Sequence, residues 1–327
     1  MYDYGLSTLN QYGITAQSSS RMRGALVCRT DQGSLILKEF HGSEKKLQLQ
    51  QEMQEKLMEN GCLTDVYLRN QAGSFVSNDK DNIPYTLQKW YEGRECDTRS
   101  HEDILKSVQM LARIHKLMKM PVKDVYIARS LEEEFARHNC EIRKIRKFIR
   151  KKGASVQFEK DFLSSVAWFL QQGEKAFLML KESDYQPLRE KALQQGCVCH
   201  GEYNQHNVLM TKNGPAVTNF SHFEFDIQMK DLYCFMRKIL EKSNWDLELA
   251  RKMLEQYHKI QKISYEEWQN LKIRFAYPEK YWKLANYYFS HNKSWISAKN
   301  TEKLQKVISQ KEIWADFSEK CFGKYPF

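Results

Sequence analysis

The chain has 327 residues, 42% of them hydrophobic and 28% charged, which is the make-up of a globular protein with a sizeable core and room for two domains. With only 14 Gly and 6 Pro, long flexible or all-β architectures are disfavoured and helices should dominate. No apolar run approaches the roughly 20 residues of a membrane span, and the opening Met-Tyr-Asp-Tyr-Gly lacks the basic start and apolar core of a signal peptide, so synthesis and folding in the cytoplasm are expected. The eight cysteines contain no Cys-x-x-Cys pair, which favours reduced thiols over a zinc site. Much of the net charge of +10 sits in residues 137–152, where Ile142, Ile145 and Ile149 recur at helical spacing. That pattern predicts an amphipathic helix with a basic outer face, either solvated or turned to an acidic partner. Aromatic residues do not interleave with the basic ones, which argues against a nucleic-acid binder.

In chain order, residues 14–40 read as strands, with a hairpin formed by 25–29 and 34–40 around Asp31 and Gly33. Lys38 ends the apolar run of the second strand, where a phosphotransferase needs one lysine to reach nucleotide phosphates. Ser18, Ser19, Ser20 and Gly24 stand in the place of a phosphate-covering loop, without a Gly-x-Gly-x-x-Gly motif. A helix is predicted over 43–60, capped by Ser43 and closed by Gly61, with Leu49, Met53 and Leu57 buried. Glu52 falls beside that stripe, placed to pair with Lys38. Two short strands are predicted at 66–68 and 85–90, flanking a polar turn at 77–82. The segment from Trp90 to Cys96 then leaves the sheet through Gly93, as a hinge whose backbone groups would hydrogen-bond an adenine ring. Beyond Ser100 the reading is helical: a first helix with His115 on its buried stripe as a core residue, then helices over 124–152 and 157–180. A further helix begins at or near Asp231. The remaining helices are rich in aromatics, among them Trp245, Trp268, Trp282, Trp295 and Trp314, which are expected to pack helices together.

Between the helices lies the most informative stretch, residues 199–220, with short β-elements on either side of Gly214-Pro215. His200-Gly201-Glu202, four residues, then Asn207 is the spacing of a phosphotransferase catalytic loop. In that chemistry the acid takes or orients the substrate hydroxyl proton and the Asn holds a magnesium ion. Asn219 follows where such enzymes place a second, metal-holding aspartate. Both acidic positions depart from the pattern. Glu202 carries one methylene more than Asp, which displaces the carboxylate by about an ångström, and misplacements of that size cost on the order of 100-fold in rate. Asn219 offers a neutral carbonyl where magnesium prefers carboxylate oxygen. Glu224 or Asp226 could replace the missing ligand if the loop folds back.

The order of strand lysine, helix glutamate, hinge, His-Gly-acid loop, metal position and helix-starting Asp resembles the aminoglycoside and choline phosphotransferase group. More narrowly, the chain resembles the CotS family of spore coat proteins from endospore-forming bacteria. The residues that carry this are Leu37-Lys38-Glu39-Phe40, Trp90-Tyr91-Glu92-Gly93-Arg94-Glu95-Cys96-Asp97 and the His200 to Asn207 loop. Phe235-Met236-Arg237-Lys238-Ile239-Leu240-Glu241-Lys242, Tyr277-Pro278-Glu279-Lys280-Tyr281-Trp282-Lys283, Asn286-Tyr287-Tyr288 and Trp295-Ile296-Ser297 continue it. The resemblance implies an α+β, two-lobed protein-kinase-like fold with a small antiparallel-sheet N-lobe (1–89), a hinge (90–97) and a large helical C-lobe (98–327). It implies ATP and Mg as ligands, with Lys38, Glu52, Trp90 and Asn207 on the nucleotide side, His200 and Glu202 as catalytic, Asn207 and Asn219 at the metal, and Asp231 bracing the loop through its backbone. It also implies residence in the spore coat among other coat proteins. The altered acids lead to two expectations: a catalytically degenerate coat protein acting by protein binding, or an active ATP-dependent phosphotransferase on a small-molecule or protein hydroxyl.

Overall fold

The computed structural model describes residues 5–290 and 298–327. Trp295 and its neighbours Ile296 and Ser297 lie outside the described residues, as does the Met1 to Tyr4 opening. By contact the chain divides into two compact units, Met1–Met120 with Val198–Glu224, and Pro121–Cys197 with Phe225–Phe327. This differs from boundaries at 89 and 97. The hinge residues and the catalytic-loop stretch belong with the sheet.

In the first unit, β1 (Ala16–Met22), β2 (Ala25–Thr30), β3 (Gly33–Glu39), β5 (Val76–Asn78) and β6 (Pro84–Lys89) form an antiparallel sheet in the order β1-β2-β3-β6-β5. The 25–40 hairpin closes as expected, with Thr30 opposite Gly33 and Leu26 opposite Leu37. The three serines lie inside β1, and the tip is Arg23-Gly24 instead, both with positive φ. Strand alternation puts Leu35 and Leu37 into one core with Leu26, Tyr85 and Leu87, and Ile36 and Lys38 on the opposite face. Helix α1 (Glu44–Glu59) starts where Ser43 accepts a hydrogen bond from the Lys46 amide. The predicted strand at 66–68 reduces to one bridge between Tyr67 and Gln88; the strand is β4 (Leu63–Thr64), parallel to β10 (Gly214–Val217). β10 also pairs with β9 (Val208–Thr211), and β9 with β7 (Arg94–Glu95), giving a second sheet in the order β4-β10-β9-β7. That pairing ties the hinge to the loop. Gly93 permits it, because a Cβ there would stand 2.5 Å from the Met210 carbonyl oxygen. Helix α2 (His101–Leu117) packs on α1 and β10, with His115 fully buried as expected.

The second unit is helical. Helix α3 (Leu131–Lys152) begins seven residues later than the predicted start at 124, because Ser130 and Glu133 form a capping box and only a short 3-10 turn precedes it at Asp124–Tyr126. α4 (Gln157–Lys181), α5 (Tyr185–Gln194) and α6 (Met229–Leu240) follow, then α7 (Leu247–Ile260), α8 (Tyr265–Ala276), α9 (Glu279–Ser290), α10 (Ala298–Ser309) and α11 (Lys311–Phe322). Ile142, Ile145 and Ile149 of α3 are buried against Phe158, Phe162, Phe169, Tyr281, Tyr288 and Trp314, so the aromatics pack helices as expected. On the outer face of α3, Lys144, Lys147, Arg150 and Lys151 are exposed.

Candidate active site

The site is built on β3, α1 and the 200–222 loop, all within the first unit. Lys38 reaches a carboxylate, but not that of Glu52. Its Nζ lies 3.4 Å from Oδ2 of Asp65, a residue with no exposed surface, while Glu52 is exposed on the outer side of α1. The helix is rotated from the expected face: Leu47, Gln50, Gln51, Gln54 and Leu57 point inward with Met53, and Leu49 is only half-buried. Asp65 takes the pairing expected of Glu52, and three glutamines of α1 hold Asp65 and Tyr67 in place. Gln54 Nε2 donates to Asp65 Oδ1 at 2.8 Å, Gln50 Nε2 donates to the Tyr67 hydroxyl at 2.7 Å, and Gln51 Oε1 accepts from the Tyr67 amide at 2.7 Å. Burial pushes the Asp65 carboxyl above its usual range, and the Lys38 charge and the Asn219 amide pull it back. Burial, and then the Asp65 charge, raises the Tyr67 phenol. Asp65 escaped the sequence reading because a single Asp between Thr64 and Val66 carries no periodic signal. The glutamines escaped it because a search for an apolar stripe passes over them.

The catalytic-loop stretch folds around its own polar groups. His200 is buried; its Nδ1 accepts from the Glu202 amide at 3.2 Å, which leaves the proton on Nε2 to donate to the Thr218 carbonyl at 3.0 Å. Both ring nitrogens are spent on backbone, so His200 shapes the loop and does not face a substrate. Gly201 takes φ +80, and a Cβ there would fall 1.9 Å from the His222 carbonyl oxygen, so no other residue fits. Asn207 donates from Nδ2 to the Glu202 carbonyl at 2.9 Å, and its Oδ1 takes no hydrogen bond among the described residues. Asn204 donates to the same carbonyl at 2.9 Å.

Glu202 and Asn219 come together. Asn219 Nδ2 donates to Glu202 Oε2 at 3.1 Å, its Oδ1 accepts from the Ser221 hydroxyl at 3.1 Å, and its backbone amide donates to Asp65 Oδ2 at 2.9 Å. Its backbone is left-handed at φ 68, ψ 58, a conformation Asn tolerates well. The Glu202 carboxylate is 44% exposed, with His222 Nε2 3.7 Å away. Lys38, Lys46, His41, His222 and the α1 N-terminus at Gly42 and Ser43 line an open cleft of about 410 Å³ that Asn219 also borders.

The remaining predicted residues lie elsewhere. Asp226 is buried in the helical unit, 3.7 Å from Lys230 and 4.0 Å from both Arg189 and Arg274, so its charge is already matched. Glu224 acts electrostatically on Lys46. The Trp90 amide donates to the Ser34 carbonyl at 2.9 Å and is not free for a base. Asp231 sits in the first turn of α6, three residues past the Gln228 cap, and is buried.

Magnesium held by protein needs carboxylate oxygens in octahedral array. Among the described residues no group of three or more His, Cys, Asp or Glu is arranged to hold a metal ion. Of the two nearby carboxylates, that of Asp65 is committed to Lys38, Gln54 and Asn219, and that of Glu202 accepts an amide N–H. Both carboxylates are thus already engaged by protein partners.

Comparison with known proteins places this geometry. The chain is similar over 94% of its length to "Spore coat protein S" of Bacillus subtilis (strain 168), at 20% identity over 319 residues that cover 89% of that protein. Among solved structures it is similar to an aminoglycoside phosphotransferase from Alicyclobacillus acidocaldarius, with TM-score 0.86 and 15% identity, covering 96% of this chain and 94% of the other. An AMP-bound spectinomycin phosphotransferase follows at TM-score 0.68 and 10% identity, covering 95% and 96%. The fold is therefore that of the aminoglycoside phosphotransferases, an antiparallel-sheet N-terminal part with a helical C-terminal part, as the motif order implied. Residues 7–321 match the family described as "Spore coat putative kinase YutH", and the chain belongs to that family.

Proposed function

We propose that this chain is a spore coat kinase-like protein in which phosphoryl transfer is lost or very slow, and that it acts in coat assembly by binding other coat proteins after synthesis in the cytoplasm. One observation carries the loss of catalysis: Asn219 hydrogen-bonds the Glu202 carboxylate through its side-chain amide, so the pair is satisfied without a metal ion. An aspartate at 219 would leave two carboxylates facing each other and require a cation between them. Family membership supports residence in the coat, and the exposed cations of α3 supply a surface for acidic partners. The test is a radiolabelled ATP assay with magnesium, together with coat assembly in cells that carry Glu202→Ala. No transfer above background and normal assembly by the variant are expected. A recruited, folded variant that fails in assembly would assign the role to catalysis.

A second reading has its own support. Lys38 is held by a buried carboxylate, and Asn207 is fixed through Nδ2 with Oδ1 uncommitted. Both are features of a working ATP- and magnesium-dependent phosphotransferase acting on a small-molecule or protein hydroxyl. ATP turnover by the wild-type chain would establish this reading.

A further inference from the structure

The helical unit carries a groove whose polarity opposes the net charge of +10 on the chain. It lies between the end of α4, the start of α5 and α8, and its volume is about 280 Å³. Glu182, Asp184 and Glu266 line it, and none of its lining residues is Lys or Arg. Asp184 and Glu266 stand at helix N-termini, where carboxylates are ordinary. Glu182 has no such reason to be there. It occupies the C-cap of α4, at the negative end of that helix, exposed and without an ion pair among the described residues. Glu266 accepts from the Ser264 hydroxyl at 2.6 Å and feels the charge of Lys191, so Glu182 and Asp184 are the carboxylates left for a cation. Tyr265, 53% exposed, offers a ring face on the same wall.

A second observation concerns Asn270, which borders the groove and is 2% exposed. Its Oδ1 accepts from Arg274 Nε at 2.8 Å, and because a guanidinium only donates, the amide cannot be turned the other way. Its Nδ2 is thereby left buried with no acceptor. A buried donor without an acceptor is costly, and a ligand oxygen would relieve it. Carboxylates that call for a cation and an amide that calls for a carbonyl are together met by a basic polypeptide. We propose that this groove binds an extended, lysine- or arginine-bearing segment of a partner protein. A main-chain carbonyl of that segment accepts from Asn270, its cationic head faces Glu182 and Asp184, and its aliphatic stem lies over Tyr265. The polarity is opposite to that of the outer face of α3, so the two surfaces take different partners.

Full-length protein is titrated calorimetrically with a blocked trilysine peptide (N-acetylated and C-terminally amidated) and with spermidine, which matches its charge but has no carbonyl. The peptide is expected to bind about tenfold more tightly than spermidine, the difference that one added hydrogen bond supplies. Glu182→Gln combined with Asp184→Asn should weaken the peptide about tenfold and, because both side chains are exposed, leave the melting temperature unchanged. In nitrogen-edited NMR spectra, the Asn270 side-chain amide resonance should move with the peptide and stay in place with spermidine. Absence of peptide binding, equal affinity for spermidine, or full affinity in the double variant overturns the proposal. None of these measurements involves ATP, so the groove and the reading of the catalytic loop fail on different evidence.

Discussion

At the scale of single residues, the Lys38–Asp65 pair is the most consequential feature. A fully buried carboxylate is tolerable because Lys38, Gln54 and the Asn219 amide all converge on it. Removing Lys38 leaves that charge uncompensated, and changes of this kind cost about 3 kcal/mol or more. Lys38→Ala should therefore lower the unfolding midpoint in urea sharply. Lys38→Ala combined with Asp65→Asn should recover most of the loss, and a double-mutant cycle showing no coupling would contradict the pairing. Gly201 makes an equally specific demand. Gly201→Ala puts a methyl group into the His222 carbonyl at a positive φ and should raise amide exchange across 200–207 while the sheet stays protected.

Elements show what the sequence discloses and what it conceals. The β2–β3 hairpin was legible because alternation and the Asp31–Gly33 turn specify both register and sidedness. Helix α1 was legible in its ends, where Ser43 and Gly61 carry local signals, but not in its rotation. Its inner face is chosen by hydrogen bonds from Gln50, Gln51 and Gln54 to residues 11 to 17 positions further along the chain, and no periodicity of apolar residues reports those. The loop spacing from His200 to Asn207 was readable because it is local. Asp65 was not, since its partners come from β3, α1 and residue 219. In the helical unit, His138 of α3 stacks on Trp282 with ring centroids 3.3 Å apart. Burial drives its pKa down to about 4, against the pull of Glu279 and with Arg137, Lys283 and Arg129 adding to the depression. Unfolded, the same imidazole titrates near 6.5. Between those values the unfolded chain binds the extra proton, so stability should fall as pH drops from 6.5 to 4, by on the order of 3 kcal/mol. Thermal midpoints at pH 7 and pH 4.5 should separate less in His138→Gln than in wild type.

Across the whole molecule, the basic excess is concentrated where it touches nothing else. Lys144, Lys147, Arg150 and Lys151 are exposed and make no ion pair within the described residues, whereas Arg143 is held by Glu174 at 2.6 Å. Replacing those four by Glu should leave the melting temperature within a few degrees and abolish recruitment of a fluorescent fusion to the coat; undiminished recruitment would remove this face from the assembly role. The position of the lysine's counter-ion has a regulatory consequence. In protein kinases the strand lysine meets a glutamate on the neighbouring helix, so displacing that helix turns the enzyme off. Here the carboxylate lies on the segment after β4, and α1 contributes only amides. Swinging α1 outward would not take the anion away from Lys38. The familiar on/off lever of a moving helix carboxylate is thus disconnected here.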